Sequence, residues 1–299
     1  MVKLRLATNR RLTVTVDQTL LAYLLNVLEL RRGVVKKLLK FGAVTVNHVT
    51  VRQFDHPLSP GDEVRVRNLR AAAAIGWLRQ ARIQAVYEDD ALIVVDKPPG
   101  LLTVASDREN ADTLYFRLNE FLRGRNPDQP ARALVVHRID RETSGLVLFA
   151  KSEPVKRLLQ DAWPTVEKIY YAVVEGRPTV EQGTITSYLT EDRKSLKVFD
   201  SDRPTAQGRL AITQYRVLKT PGDRSLVEVR LETGRKHQIR VHLASLGCPV
   251  IGDRRYGNKS NPSSRLALHA SGLLLAHPLT GERLNFISLL PNGLLKLLS

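Results

Sequence analysis

Between two apolar runs, Leu134–Val136 and Leu146–Ala150, the chain gathers His137, Arg138, Asp140 and Thr143-Ser144-Gly145. Polar groups confined between two buried strands end at the rim of a core. There desolvation and neighbouring charge can tune a carboxylate for nucleophilic or acid–base work. Asp140 is the candidate for that work. A loop salt bridge from Asp140 to Arg138 or Arg141, with Thr143-Ser144 as a turn, fits the same spacing. A second cluster lies at Arg235, His237, Gln238 and Arg240. Here an alternating strand (Val227, Val229, Leu231) gives way through Thr233-Gly234 to a helix carrying Ile239, Leu243 and Leu246 on one side. Such a cluster can pair with a buried carboxylate and hold phosphates, or it can be a basic surface turn. In a third segment, Lys168–Gly176, strand alternation puts Tyr170 on the face of Lys168, opposite Ile169, Tyr171 and Val173. Its ring can stack on a base or sit at the rim of a core.

Other chemistries fit these residues poorly. Ser144 lacks the G-x-S-x-G elbow of a hydrolase nucleophile. The lone Cys248 excludes a multi-thiolate zinc site and an internal disulfide framework. His237 and His242 are five apart, so on a helix they diverge instead of forming an i,i+4 ligand pair, and no metal is expected. The stretch "GCPVIGDR" is followed by no Gly-Lys-Ser/Thr and is not a phosphate loop.

The elements that must position these segments fall into two groups, and 299 residues suffice for two domains. From Ala85 onward, strand and helix patterns mix without strict βα alternation, which predicts an α+β fold with a mixed sheet. Residues 1–70 predict a smaller α/β unit. It has a strand at Thr13–Val16, a helix marked by Leu20, Leu21, Leu24, Leu25 and Leu28, and a second helix over about 33–41 ended by Gly42. A hairpin turning at Asn47-His48, a turn at Ser59–Asp62 and a strand from Glu63 complete it. Residues 71–84, with Ala71–Ala74, read as a linker.

Charge points to a polyanionic partner. Lys and Arg number 46 against 30 acids, a net +16, and residues 1–70 carry half of it, with 13 basic and 5 acidic residues. On the second helix Arg32, Lys36 and Lys40 recur at i, i+4 and i+8, beside Arg31 and Lys37. Solvated helix faces usually interleave both signs, so a one-sign stripe suits a phosphate backbone. No run approaches the roughly 18–20 apolar residues of a membrane span, and no signal-peptide core opens the chain. A soluble cytoplasmic monomer with no membrane and no obligate protein partner is expected.

The three segments "HRIDRETSGLVLFAKS", "KIYYAVVEG" and "LETGRKHQIRVHLASLGCPVIGDRRYG" resemble the RluA-type pseudouridine synthases in order and spacing. "LIVVDKPPGLLTV", "AITQYRVL" and "LALHASGLLLAHP" extend the resemblance over residues 85–290. It implies a mixed, largely antiparallel sheet flanked by helices and loops. It also implies a cofactor-free isomerisation of uridine in structured RNA, ribosomal RNA first and transfer RNA as the alternative. The rival is an RNA-binding or ribosome-assembly factor without the reaction. Residue by residue, the resemblance implies Asp140 as the catalytic aspartate and Arg240 as its basic partner. Tyr170 would lie against the target uracil, and Arg138 would help displace the nucleotide. His137, Arg235, His237 and Gln238 are the further RNA-binding candidates around them. Residues 1–70 resemble an S-four-type RNA-binding domain through "FGAVTVNHVTV" and "LSPGDEVRV", leaving 85–299 as the catalytic domain.

Overall fold

The computed structural model describes residues 10–29, 32–40, 44–47, 49–51, 53–66, 83–105, 112–125, 132–192, 194–257 and 265–299. The chain divides into two compact units, Met1–Ile83 with Tyr115–Ala133, and Gln84–Leu114 with Leu134–Ser299. No helix among the described residues is long and apolar enough to cross a membrane.

In the first unit, β1 (Arg10–Thr13), β3 (Val44–Val46), β4 (Val49–Thr50) and β6 (Glu63–Val66) form an antiparallel sheet in the order β1-β6-β3-β4. β2 (Gln18–Thr19) pairs with β5 (Pro57–Leu58). The expected strand at Thr13–Val16 begins earlier, because its partner β6 takes Arg10–Thr13 and Val16 is left exposed. Helix α1 (Leu20–Ala22) is capped by the Thr19 hydroxyl, which accepts the Ala22 N–H at 3.3 Å, and widens into a π-helical turn over Tyr23–Val27. Its Leu20 and Leu24 pack with Val35 and Leu38 of α2 (Arg32–Lys40) and Val44 and Val64 of the sheet. Asn47 turns the hairpin at φ +48°, a conformation asparagine tolerates, and its side chain bonds Asp62 Oδ1 (2.8 Å) and the Glu63 N–H (2.9 Å). Helix α3 (Leu114–Arg125) belongs to this unit from Tyr115 on. Gly42, His48 and the linker as far as residue 82 lie outside the described residues.

Among the described residues, the second unit is built on one sheet of 11 strands. In chain order these are β7 (Gln84–Glu88), β8 (Leu92–Lys97), β9 (Leu134–Val135), β10 (Ser144–Ala150), β11 (Glu167–Glu175), β12 (Gln182–Glu191), β13 (Val198–Ser201), β14 (Arg209–Lys219), β15 (Arg224–Leu231), β16 (Leu268–Ala276) and β17 (Arg283–Ile287). The spatial order is β13-β12-β14-β15-β11-β16-β10-β8-β7, with β17 on β16 and β9 on β10. Every pair is antiparallel except β10 with β16, which meet in a short parallel joint, Ser144↔His269 and Gly145↔Ala270. The fold is α+β with a mixed, largely antiparallel sheet, as expected.

Strand β10 is buried from end to end and reads as an apolar run instead of an alternation. Helix α4 (Glu153–Asp161) starts at Ser152, whose hydroxyl accepts the Val155 N–H, and turns Val155 and Leu159 into a cluster with Leu146 and Leu148. Helix α5 (Gln238–Ser245) is a wedge. Ile239 and Leu243 enter a cluster with Val173, Val227 and Val229, to which Leu294 of α6 (Asn292–Leu295) also belongs, while Val241 packs with Leu189, Val198 and Ala211. Wedged on two clusters, the first turn of α5 is a rigid mount for Arg240.

Candidate active site

The loop carrying Asp140 is strapped to the segment that leaves β8. The Thr103 hydroxyl donates to the Ile139 carbonyl at 2.9 Å and accepts the Ile139 N–H at 3.3 Å. On the other side of Asp140, the Arg141 carbonyl accepts from the Gly100 N–H and from Lys97 Nζ, each at 2.9 Å. Lys97 is fully buried and donates also to the carbonyls of Pro98 (3.0 Å) and Leu101 (2.7 Å). Three carbonyls match the three N–H bonds of an ammonium. Burial pulls the Lys97 pKa down to about 7, against the charges of Glu142 and Asp140. The backbone on both flanks of Asp140 is thereby fixed.

The loop ends at Ser144 and Gly145. Gly145 has φ +112°, and a Cβ there would lie 2.2 Å from the Ala270 carbonyl oxygen, so glycine is what lets β10 meet β16. Ser144 Oγ accepts from Arg265 Nη2 (2.7 Å) and meets His269 Nδ1 (2.9 Å). His269 Nε2 meets Ser288 Oγ (3.0 Å), which donates to Asp96. A guanidinium only donates and a carboxylate only accepts, so the hydroxyl protons point from Arg265 toward Asp96. His269 sits between them as a neutral ring, its pKa lowered by burial. Ser144 is 3% exposed and belongs to this scaffold, which removes it as a nucleophile.

Asp140, Arg138, Tyr170, Arg235, His237 and Arg240 converge on a cleft of about 90 Å³. Arg240 Nη1 donates to Asp140 Oδ2 at 3.1 Å. Its Nε and Nη2 fork onto the two oxygens of Asp253 at 2.7 and 2.8 Å. Asp253, with no exposed side-chain surface, also accepts the N–H groups of Arg255 (2.9 Å) and Tyr256 (3.1 Å). Burial opposes the Arg240 charge, but the bonds and charge of Asp253, then of Asp140, outweigh it and hold the guanidinium pKa above its ordinary value. Burial likewise opposes the Asp253 charge, and Arg240 outweighs it, holding that carboxyl below its usual range.

The Tyr256 ring centroid lies 5.1 Å from the Arg240 guanidinium carbon. The Tyr256 hydroxyl accepts the Val198 N–H (2.9 Å) and meets His237 Nδ1 at 2.8 Å. His237, left-handed at φ +55° just before α5, brings Nε2 to 3.9 Å from Asp140 Oδ2. Burial pulls its pKa to about 4 despite the Asp140 charge, so the ring is neutral near pH 7. Tyr170 stands at a bulge between β11 and β16, packed at the edge of the core. Burial and the Asp140 charge push its hydroxyl pKa up. The result is a half-buried carboxylate on a fixed cation, beside an aromatic ring and under a basic rim. That arrangement suits attack on, or deprotonation of, a neutral group within an anionic polymer.

Residues 91–245, more than half of the chain, match the family model described as RNA pseudouridylate synthase. The chain belongs to the RNA pseudouridylate synthase family. It is 36% identical to YlyB of Bacillus subtilis, an uncharacterized RNA pseudouridine synthase, over 89% of this chain and 88% of that one. It is 38% identical to the ribosomal large subunit pseudouridine synthase C of Rickettsia bellii, over 69% and 68% of the two chains. Among solved structures, human RNA pseudouridylate synthase domain containing 4 superposes with a TM-score of 0.61 at 25% identity, covering 75% of this chain and 94% of that one. The protein is an RNA pseudouridine synthase, and its reaction is the isomerisation of uridine in RNA.

The synthase cleft collects most of the residues singled out in the sequence, but not all in the expected way. His137 is not brought to it. Its ring stacks on Trp163 (4.3 Å between centroids), Nε2 accepts the Leu148 N–H (2.9 Å), and burial, then the Lys168 charge, drops its pKa to about 3. Gln238 borders the cleft, yet its amide is committed to the Ile212 carbonyl, the Thr213 hydroxyl, the Arg235 N–H and the Thr233 hydroxyl. With 2% exposure it braces the strand-to-helix turn. Lys168 is buried, donating to the Trp163 carbonyl (3.1 Å), so it does not line the cleft beside Tyr170. Arg32 and Lys36 are exposed on α2; Arg31 and the side chains of Lys37 and Lys40 lie outside the described residues. Lys97, Thr103, Asp253 and Tyr256 were missed. The signals were a lysine closing an apolar strand before Pro98-Pro99-Gly100, and an aspartate and a tyrosine bounded by Gly252 and Gly257.

Proposed function

We propose that Asp140 is the catalytic carboxylate and that the RNA acted on is ribosomal. The observation that carries the first part is the 3.1 Å bond from Arg240, a cation already immobilised by Asp253, to the carboxylate facing the cleft. In the reaction C1′–N1 breaks, the uracil turns and C5 joins C1′; C5 loses a proton and N1 gains one. No atom is added and nothing is oxidised, so the chemistry calls for no cofactor. The target nucleotide must leave its stack, at a cost of a few kcal/mol. Tyr170 receives the base and the exposed Arg138 fills the gap, contacts that offset this cost by roughly 1–3 kcal/mol per stacked base. Asp140 then acts ionised, as nucleophile at C1′ or as base on the sugar, and Arg240 favours that ionised form.

Ribosomal RNA is supported by the similarity to a large-subunit synthase. Residues 1–70, with Arg32 and Lys36 exposed on α2, are assigned as an S-four-type RNA-binding domain, and residues 85–299 as the catalytic domain. The enzyme works as a cytoplasmic monomer. The test is tritium release from 5-[³H]uridine-labelled large-subunit ribosomal RNA transcript. Asp140→Asn should lower release by roughly a thousandfold or more with RNA affinity within about threefold of wild type. Wild-type turnover in Asp140→Asn would refute the catalytic assignment, and release only from transfer RNA transcripts would refute the target.

A further inference from the structure

A flipped uridine remains bonded to the phosphates on both sides, so the RNA strand must leave the cleft through an exit. A groove of about 810 Å³ adjoins the cleft and shares Gly234 and Arg235 with it. Its apolar floor includes Leu189 and Val198, 5% and 3% exposed, and its rim carries Arg209, Arg235 and Lys236. Glu191, the acid on the rim, is paired with Lys236, and no acid among the described residues pairs with Arg209.

The walls are stiff. Thr190 and Thr205 join through their hydroxyls at 3.1 Å, and the Gly208 N–H donates to the Thr205 carbonyl at 3.1 Å. A Cβ on Gly208 would meet Thr205 Oγ1 at 2.5 Å, so glycine lets this arch lie down on β12. Arg235 donates Nε to the Leu210 carbonyl at 3.0 Å, which holds its terminal nitrogens in place on the rim. An apolar floor under fixed cations fits ribose below and phosphate above. A bare anion would need no such floor, and an apolar peptide would gain nothing from the rim.

We propose that this groove binds the sugar–phosphate backbone of the strand continuing from the flipped uridine, with Arg209 and Lys236 as phosphate contacts. The proposal rests on the assignment of Asp140 and its cleft as the RNA site. The experiment measures binding of the labelled ribosomal transcript across a salt series, and single-turnover tritium release, for Arg209→Glu, Lys236→Glu and the milder Arg209→Gln. Each charge reversal should raise Kd and KM about tenfold and flatten the salt slope by about one phosphate contact, with the loss recovered at saturating RNA. Arg209→Gln should show the same slope change with a smaller loss. Unchanged slopes in all three would overturn the groove, as would a rate loss that saturating RNA does not recover. Competition by poly-glutamate that is lost in the variants while RNA binding stays intact would assign the groove to an acidic protein instead. If wild-type protein releases no tritium but the slopes still change, the catalytic reading fails and the groove stands.

Discussion

Asp140 and Asp253 both face Arg240, one from the cleft and the other from the core. The core side is closed. Asp253 takes two guanidinium nitrogens and two backbone N–H groups with none of its side-chain surface exposed. The cleft side is open, with a single bond and 28% of the Asp140 side chain exposed. A buried ion pair is costly to assemble and is justified mainly when geometry must be held. Here the closed carboxylate fixes the plane of the cation. The open one gains a stabilised charge without having to hold that cation itself, and it keeps oxygen surface for the substrate.

Removing the closed partner should therefore hurt more than its distance from the substrate suggests. Asp253→Ala leaves a buried guanidinium half-satisfied and should cost about 3–5 kcal/mol of stability. Turnover should fall with it while KM for RNA changes little, because Arg240 loses its orientation. Asp253→Asn keeps the shape and should lie between. Asp140→Asn should leave the melting temperature nearly unchanged, since its charge is partly solvated. Denaturant melts and single-turnover rates on the three variants decide the matter. Equal destabilisation by Asp140→Asn and Asp253→Ala would erase the distinction between the two sides.

Much of the open side was legible in the sequence, and most of the closed side was not. Asp140, Arg138, Arg235, His237 and Arg240 stand out because polar residues between apolar runs must reach a surface. Alternation puts Tyr170 on the face of Lys168, but that lysine is itself buried, so its charge was no sign that the face meets solvent, and the Tyr170 ring packs against the core. Lys97 closes an apolar strand, where a lysine reads as a solvent-facing end, and only the fold brings it to the carbonyl of Arg141, 44 residues away. His137 sits in the same polar run as Asp140, and spacing alone does not reveal that Trp163 and the Leu148 N–H capture it. The α+β class was readable because it depends on local alternation. The parallel joint between β10 and β16 was not, because it depends on a close approach between residues 145 and 270.

That joint belongs to the closed side and gives a second way to test it. Gly145→Ala forces a side chain into φ +112° and toward the Ala270 carbonyl, and should cost about 3 kcal/mol with a parallel loss of turnover. Gly234→Ala, on the open side, meets no heavy atom within 4 Å and has no positive φ, so stability should stay within about 0.5 kcal/mol of wild type. Thermal melts of the pair give the contrast directly. A destabilising Gly234→Ala beside a neutral Gly145→Ala would reverse it.

The smallest expected effect separates two histidines of one helical segment, His237 on the open side and His242 on the closed side. Burial holds both near a pKa of about 4, with the Asp140 charge opposing it at His237 and the Asp200 charge at His242. His242 is fully buried, its ring nitrogens 2.8 Å from the Thr213 hydroxyl and 2.9 Å from the Ser187 hydroxyl. Each folded pKa is depressed below the unfolded value of about 6.5. The unfolded chain therefore binds more protons between those limits, and stability, complete above about 6.5, is lost as pH falls toward 4. Each ring should contribute a slope of up to about 1.4 kcal/mol per pH unit. His242→Gln should flatten the acid limb of stability and leave the acid limb of turnover in place. His237→Gln should flatten both, because a protonated His237 sets a second cation 3.9 Å from Asp140 and competes for its charge. Melts from pH 7 down to 5 and single-turnover rates carried down to pH 4, where His237 takes its proton, would show the split, and a turnover limb that moved with His242 alone would mean that acid acts on the scaffold and not on the carboxylate.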